Sequence, residues 1–277
     1  MYEITPVEFH KPIWIKRDDL YAPFNSCNVN GTKLRCCVEL FEQNKNKTSN
    51  GVLTGCSINS PQSVIVAAVA NHFKVPCTAY FGGTKLSNIK SLGLLEKLNT
   101  TTEILNSGRH SVLYHTINKK ALEEGKFVVK YGIQETNRYI LINSIANQVE
   151  NIPNGVDKIC IVCGSGVTAI GLLLGLEKFK KSNIKKIILA GTAPNRLKKI
   201  NSYFNNLLAP QTDFYNKILY IDLYNQKGFN YDKKEYAEID GIVLHPNYEA
   251  KAFNWLKESN YFNEKTLFWI IGSEINV

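Results

Sequence analysis

The chain has 277 residues, 44% hydrophobic and 21% charged, a balance that supports a large buried core and excludes a disordered chain. Lys and Arg number 33 against 24 Asp and Glu, and the resulting net charge of +9 favours anionic partners. No apolar run reaches the roughly 18 residues of a spanning helix, and the N-terminus lacks the basic and apolar regions of a signal peptide, so a cytoplasmic protein without membrane segments is expected.

Short apolar runs alternate with segments of helical period along the whole sequence. Strands are expected at 14–16, 52–55, 77–81, 103–105, 127–130, 158–162, 186–190, 218–221, 242–244 and 267–271. Helices are expected at 32–43, 62–72, 88–98, 111–124, 138–150, 167–181, 195–206 and 249–258. The alternation is that of an α/β protein with mainly parallel sheets and flanking helices. Polar breaks at 44–51 and 151–155 suggest two lobes: a large one from residues 1–47 and 151–277, and a small inserted one from 48–150. A ligand is expected in a cleft between them.

Seven cysteines, an odd number scattered through apolar segments, argue against a disulfide framework. Cys160 and Cys163 have the spacing of a redox or zinc pair but lie along an expected buried strand, with no second pair. The five histidines form no His-x-x-x-His pair, and no metal site is expected. Lysine pairs such as Lys119-Lys120 and Lys198-Lys199 read as solvated surface.

Three segments carry candidate chemistry. Gly164-Ser165-Gly166-Val167-Thr168 lies between an apolar strand and a helix, where free N–H groups and the helix dipole converge on an anion. A tight strand-to-helix turn gives the same pattern. Ser60-Pro61-Gln62 opens the helix after the second strand; Ser60 is suited to cap it, and the same hydroxyl and N–H groups suit a substrate carboxylate. Lys33, in Gly31-Thr32-Lys33-Leu34, is a candidate amine: partial burial lowers a lysine pKa, and the neutral amine condenses with aldehydes. Gly83-Thr84-Lys85-Leu86 nearly repeats that string, but Lys85 reads as a solvated loop lysine.

Taken together these segments resemble pyridoxal-phosphate (PLP) enzymes of fold type II, the tryptophan synthase β-like group. The branch they most resemble is the 1-aminocyclopropane-1-carboxylate deaminase and D-cysteine desulfhydrase family. Its Lys-Arg-Asp-Asp-Leu and Gly-Asn-Lys-x-Arg motifs are matched by Lys16-Arg17-Asp18-Asp19-Leu20 and Gly31-Thr32-Lys33-Leu34-Arg35. Its Gly-x-x-Gln-Ser-Asn segment resembles residues 55–62, with Pro61 in place of Asn. Its phosphate loop resembles residues 164–168, and its late Tyr-Glu/Thr-Gly-Lys segment Tyr248-Glu249-Ala250-Lys251. The family's late His-Thr-Gly-Gly is reduced here to Ile270-Ile271-Gly272-Ser273.

The resemblance implies that Lys33 holds the cofactor as a Schiff base and moves protons at the substrate α-carbon. Asn59, Gly164, Ser165, Gly166, Val167, Thr168 and Glu249 would bind PLP, with Glu249 at the pyridine nitrogen. Ser60, Pro61 and Gln62 would hold the substrate, and Tyr248 and Ser60 would join Lys33 in catalysis. Outside the resemblance, Tyr248 and Glu249 read as an ordinary helix start. The expected activity is release of ammonia and a 2-oxo acid from a small amino acid, by a deaminase or lyase that is a homodimer by family habit. The alternatives are a PLP enzyme acting on an amino acid attached to nucleic acid or another anionic carrier, and a degenerate PLP-holding protein without catalysis. The excess positive charge and altered substrate loop motivate the carrier reading.

Overall fold

The structure is a computed structural model and describes residues 3–24, 28–58, 60–133, 137–207 and 213–274. In chain order it runs β1 (Val7–His10), β2 (Ile13–Arg17), α1 (Thr32–Gln43), α2 (Lys45–Thr48), β3 (Val52–Cys56), α3 (Gln62–His72) and β4 (Cys77–Gly82). It continues through α4 (Leu92–Lys97), β5 (Thr100–Leu105), α5 (His110–Glu124), β6 (Phe127–Val129), α6 (Arg138–Ser144), β7 (Lys158–Cys163) and α7 (Val167–Lys178). The last elements are β8 (Lys186–Gly191), α8 (Leu197–Leu207), β9 (Ile218–Asp222), β10 (Glu238–Ile239), β11 (Ile242–Val243), α9 (Glu249–Glu258) and β12 (Thr266–Ile270). Among the described residues no helix is long and apolar enough to cross a membrane.

Two compact units result: described residues 3–21 and 137–274 form the first, and 22–133 the second. The first contains a six-stranded sheet in the order β1-β2-β12-β7-β8-β9, parallel throughout except for the β1–β2 pairing. β12 is central and buried at all five residues, as its sequence Thr-Leu-Phe-Trp-Ile requires of a strand covered on both faces. β9, at the edge, is only partly buried at every position. The core of this unit joins Ile13, Ile15, Cys160, Ile188 and Phe268 of the strands to Ala252, Phe253 and Leu256 of α9.

The second unit holds a four-stranded parallel sheet, β5-β4-β3-β6. Against it lies α3, whose residues Gln62 to Ala70 are all buried. Burying Val64, Ile65, Val66 and Val69 stabilises the unit by about 1.5–3 kcal/mol for each side chain. On the other side Leu113, Ile117 and Ala121 of α5 pack with Leu53 and Tyr80.

The mixed α/β architecture with mainly parallel sheets is as the sequence implies. The dividing points differ from the expected 47/48 and 150/151. α1 packs on α3 and belongs with the second unit, whereas α6 and the 3-10 turn Ala146–Val149 pack on α7 and belong with the first. The helix expected over 138–150 breaks at Ile145, whose φ/ψ of −128°/−52° is not helical. There the chain closes on α7: Cβ atoms added at Gly171 and Gly175 would lie 2.5 Å from Ile145 and 2.4 Å from Val149. The strand expected at 242–244 is a two-residue hairpin partner of β10, turned by Asp240 and Gly241, both at positive φ.

Candidate active site

In the first unit the loops after β7, β8 and β12 all leave the same edge of the sheet, because these strands are parallel. Ligands of open α/β sheets bind at that carboxyl edge. After β7, Gly164, Ser165 and Gly166 turn the chain into α7. Gly166 has φ 89°, a left-handed conformation that suits glycine. No side chain caps α7. The N–H groups of Val167 and Thr168 therefore remain for an anion at the positive end of a twelve-residue helix. A Cβ at Gly164 would meet nothing within 4 Å, so the loop opens onto space, with Ser165 and Thr168 partly exposed beside it. These donors fit a phosphate group.

Glu249 begins α9 and is 1% exposed. Its Oε1 accepts from Ile271 N–H at 3.2 Å, which fixes the carboxylate beside the end of β12. Burying a carboxylate is costly without such donors, and the N-terminal dipole of α9 favours the charge. Tyr248 precedes it and is half-buried. Its hydroxyl is hydrogen-bonded to that of Tyr231, and its ring lies 4.6 Å from His245, centroid to centroid. Lys251 Nζ donates to the carbonyls of Asn230 at 2.6 Å and Tyr231 at 3.1 Å, and Asn247 Nδ2 donates to Tyr231 O at 3.0 Å. Burial lowers the Lys251 pKa. Tyr231 and His245 were not singled out in the sequence; Tyr231 sits in a polar Asn- and Lys-rich stretch without period, and only the fold brings it to Tyr248.

In the second unit Lys33 is the second residue of α1 and is partly buried, flanked by the buried Thr32 and Leu34. Gly31, at φ 90°, turns the chain into this helix. Lys85, by contrast, is exposed before a 3-10 turn. Ser60, partly exposed, accepts from Gln62 N–H at 3.3 Å, so it caps α3 with Pro61 at φ −69° completing the entry. Asn59 lies outside the described residues.

Gln62 departs from its expected role as a substrate contact. It is 1% exposed; Nε2 donates to Thr54 Oγ1 at 2.9 Å, Tyr114 OH at 3.2 Å and Lys130 O at 3.1 Å, and Oε1 accepts from Gly132 N–H at 2.6 Å. Both amide hydrogens are committed to interior acceptors, and the carboxamide is buried away from a ligand. Burial pushes the Tyr114 pKa well up, in keeping with an interior network.

The Lys16-to-Leu20 motif is also architectural. Lys16 is fully buried and donates to Thr5 O at 2.7 Å and Asn151 Oδ1 at 2.9 Å, while Asp18 accepts from Thr5 Oγ1 at 2.6 Å. Arg17 pairs with Asp19 at 2.8 Å and Glu8 at 2.9 Å. Cys160 and Cys163, three apart on β7, project to opposite faces of the sheet, which a shared metal or disulfide forbids. Burial drives the Cys163 thiol up to about 12.

No family model matches the chain. A curated protein of Salmonella phage ViI, O-seryl-dTMP PLP-dependent decarboxylase, is 26% identical in an alignment that covers 99% of this chain and 82% of that protein. Among solved structures, an ACC deaminase homologue superposes with a TM-score of 0.75 at 20% identity, covering 98% of this chain and 91% of the other. Threonine deaminase isoform 2 of Solanum lycopersicum gives 0.68 at 12% identity over 99% and 80%, and maize serine racemase 0.64 at 15% over 99% and 91%. The chain therefore has the fold type II architecture, the tryptophan synthase β-like fold that its motifs resemble.

Proposed function

We propose that the chain is a PLP-dependent enzyme whose substrate is an amino acid carried on a nucleotide or nucleic acid, and that it removes the α-carboxylate. The observation that carries this reading is the similarity, over 99% of this chain, to a phage enzyme named for O-seryl-dTMP and for decarboxylation. The net charge of +9 supports an anionic carrier. The cofactor, when bound, supplies an electron sink for charge that develops at the α-carbon.

In this reading Lys33 would hold the cofactor aldehyde, and its amine would carry a proton at the substrate α-carbon. The N–H groups of Val167 and Thr168, with the hydroxyls of Ser165 and Thr168, would hold the cofactor's phosphate beside Gly164. Gly166 lets the backbone approach closely. Glu249 would keep a proton on the ring nitrogen. Loss of carbon dioxide breaks the bond from the α-carbon to the carboxylate, and Lys33 or Tyr248 returns one proton to that carbon. Asn59 would contact the cofactor and Ser60 the substrate.

Pro61 supports loss of the carboxylate over its retention. It offers neither a side-chain amide nor an N–H, and Gln62 beside it is occupied in the interior. A carboxylate held by fewer donors is less stabilised in the ground state and leaves more readily.

A second reading, favoured by the fold likeness to an ACC deaminase homologue and by the position of Glu249, is release of ammonia and a 2-oxo acid from a small free amino acid. Product analysis separates the two. Holo-protein should release carbon dioxide from O-seryl-dTMP, free or in DNA, and no oxo acid from aminocyclopropane carboxylate, D-cysteine or serine. The reverse result establishes the second reading. Borohydride should fix the cofactor onto Lys33; labelling elsewhere ends both.

A further inference from the structure

Beside the glycine loop lies a cationic pair that no role above uses. β8 ends at Gly191, and the chain passes through Thr192 and Arg196 into α8. Thr192 is fully buried, and its N–H donates to the carbonyl of Cys163, the residue immediately before the loop, at 3.3 Å. Its Oγ1 has no hydrogen-bond partner among the described residues.

Arg196 stands at the head of α8, its carbonyl accepting from Ile200 N–H at 2.8 Å. A Cβ built on Gly166 would lie 3.7 Å from Arg196 Cβ and 3.1 Å from Ile200 Cγ1, so α8 flanks the left-handed glycine of the loop. Arg196 Nε is buried and has no hydrogen-bond partner among the described residues. Lys199 follows at the i,i+3 spacing that brings helix side chains together. Its ammonium lies 5.6 Å from the Tyr203 ring centroid, and burial, then the charge of Arg196, lowers its pKa.

Neither cation has an ion pair among the described residues. Two like charges held within one turn and partly stripped of water are unfavourable alone. An anion against both offsets that cost, and a guanidinium beside an ammonium matches the oxygens of a phosphate.

We propose that Arg196 and Lys199 bind a phosphate group alongside the glycine loop. The inference rests on the functional reading above for its two sources of phosphate: the cofactor's own, and that of the nucleotide carrying the substrate.

Two titrations test it on the full chain. PLP is titrated into apo-protein by absorbance, and dTMP into holo-protein by calorimetry. Wild type is compared with Arg196→Gln, Lys199→Gln and the charge-keeping Arg196→Lys, with circular dichroism and melting to check folding. Each neutral variant should weaken one of the two ligands by about tenfold or more, with a smaller loss for Arg196→Lys. A loss confined to PLP assigns the pair to the cofactor; one confined to dTMP assigns it to the substrate. Affinities within twofold of wild type for both ligands overturn the proposal. Lys199→Gln decides the matter if Arg196 variants fail to fold. Unchanged affinities alongside normal borohydride fixation at Lys33 refute the pair alone. A wild-type protein that takes up no PLP refutes the functional reading as well.

Discussion

Replacing Gln62 by leucine separates an interior role from a substrate role. Leucine nearly matches the volume but makes none of the four hydrogen bonds. Tyr114 OH still donates to Gly55 O at 2.7 Å, Thr54 Oγ1 still reaches Val129 O at 3.3 Å, and Lys130 O still accepts from Ile133 N–H at 2.9 Å. Gly132 N–H alone is orphaned, at a cost of about 1–3 kcal/mol, and the lost Nε2 bonds add about 1 kcal/mol. The expected loss is therefore about 2–4 kcal/mol, a large part of an ordinary folding stability. Urea unfolding followed by circular dichroism measures it, and hydrogen exchange at Gly132 should accelerate in parallel. Gln62→Glu should cost more, because it buries a charge and removes both donors. An unchanged urea midpoint with a raised KM would refute the argument and return Gln62 to the substrate.

Lys33→Ala should abolish the borohydride-fixed adduct and lower turnover by about a thousandfold, read by mass spectrometry and product release. Gly175→Ala should destabilise the chain by about 1–3 kcal/mol, since the new Cβ meets Val149 at 2.4 Å and Ala146 O at 2.5 Å; an unaltered melting temperature would contradict the packing. Cys163, with its thiol pushed to about 12, should resist iodoacetamide at pH 8 until the protein unfolds, and rapid native labelling would refute its burial. His10 has a raised pKa: burial opposes the shift, but the hydrogen bonds to Asp240 and Glu8 outweigh it. Its contribution is complete below the unfolded histidine pKa of about 6.5 and is lost as pH rises through the folded value. Melting temperatures from pH 5 to 8 should show this decline in wild type and not in His10→Gln.

Much of the fold was legible because its apolar periods are strong. α1, α3 and α9 fall on the expected residues, and the buried strands β7, β8 and β12 were marked by near-continuous apolar runs. The break at Ile145 was not legible, because it depends on the absence of side chains at Gly171 and Gly175, 26 and 30 residues further along the chain. β1 escaped notice as a short, partly exposed edge strand. At the candidate site the glycine loop and the Tyr248-Glu249 pair could be placed from local sequence. The commitment of Gln62 to Gly132 and the pairing of Tyr231 with Tyr248 could not, since each joins segments whose approach no local pattern encodes.

β12 occupies the middle of its sheet, between β2 near the start of the chain and β7. During synthesis the described residues of the second unit have all been made once residue 133 is added. β2 and β7 must then wait, each with one edge unsatisfied, until residues 266–270 are made. A ribosome that stalls or a reading frame that ends before β12 would thus leave a soluble-looking fragment with one finished half and one open, adhesive sheet. Closure of the first unit's sheet therefore depends on residues 266–270.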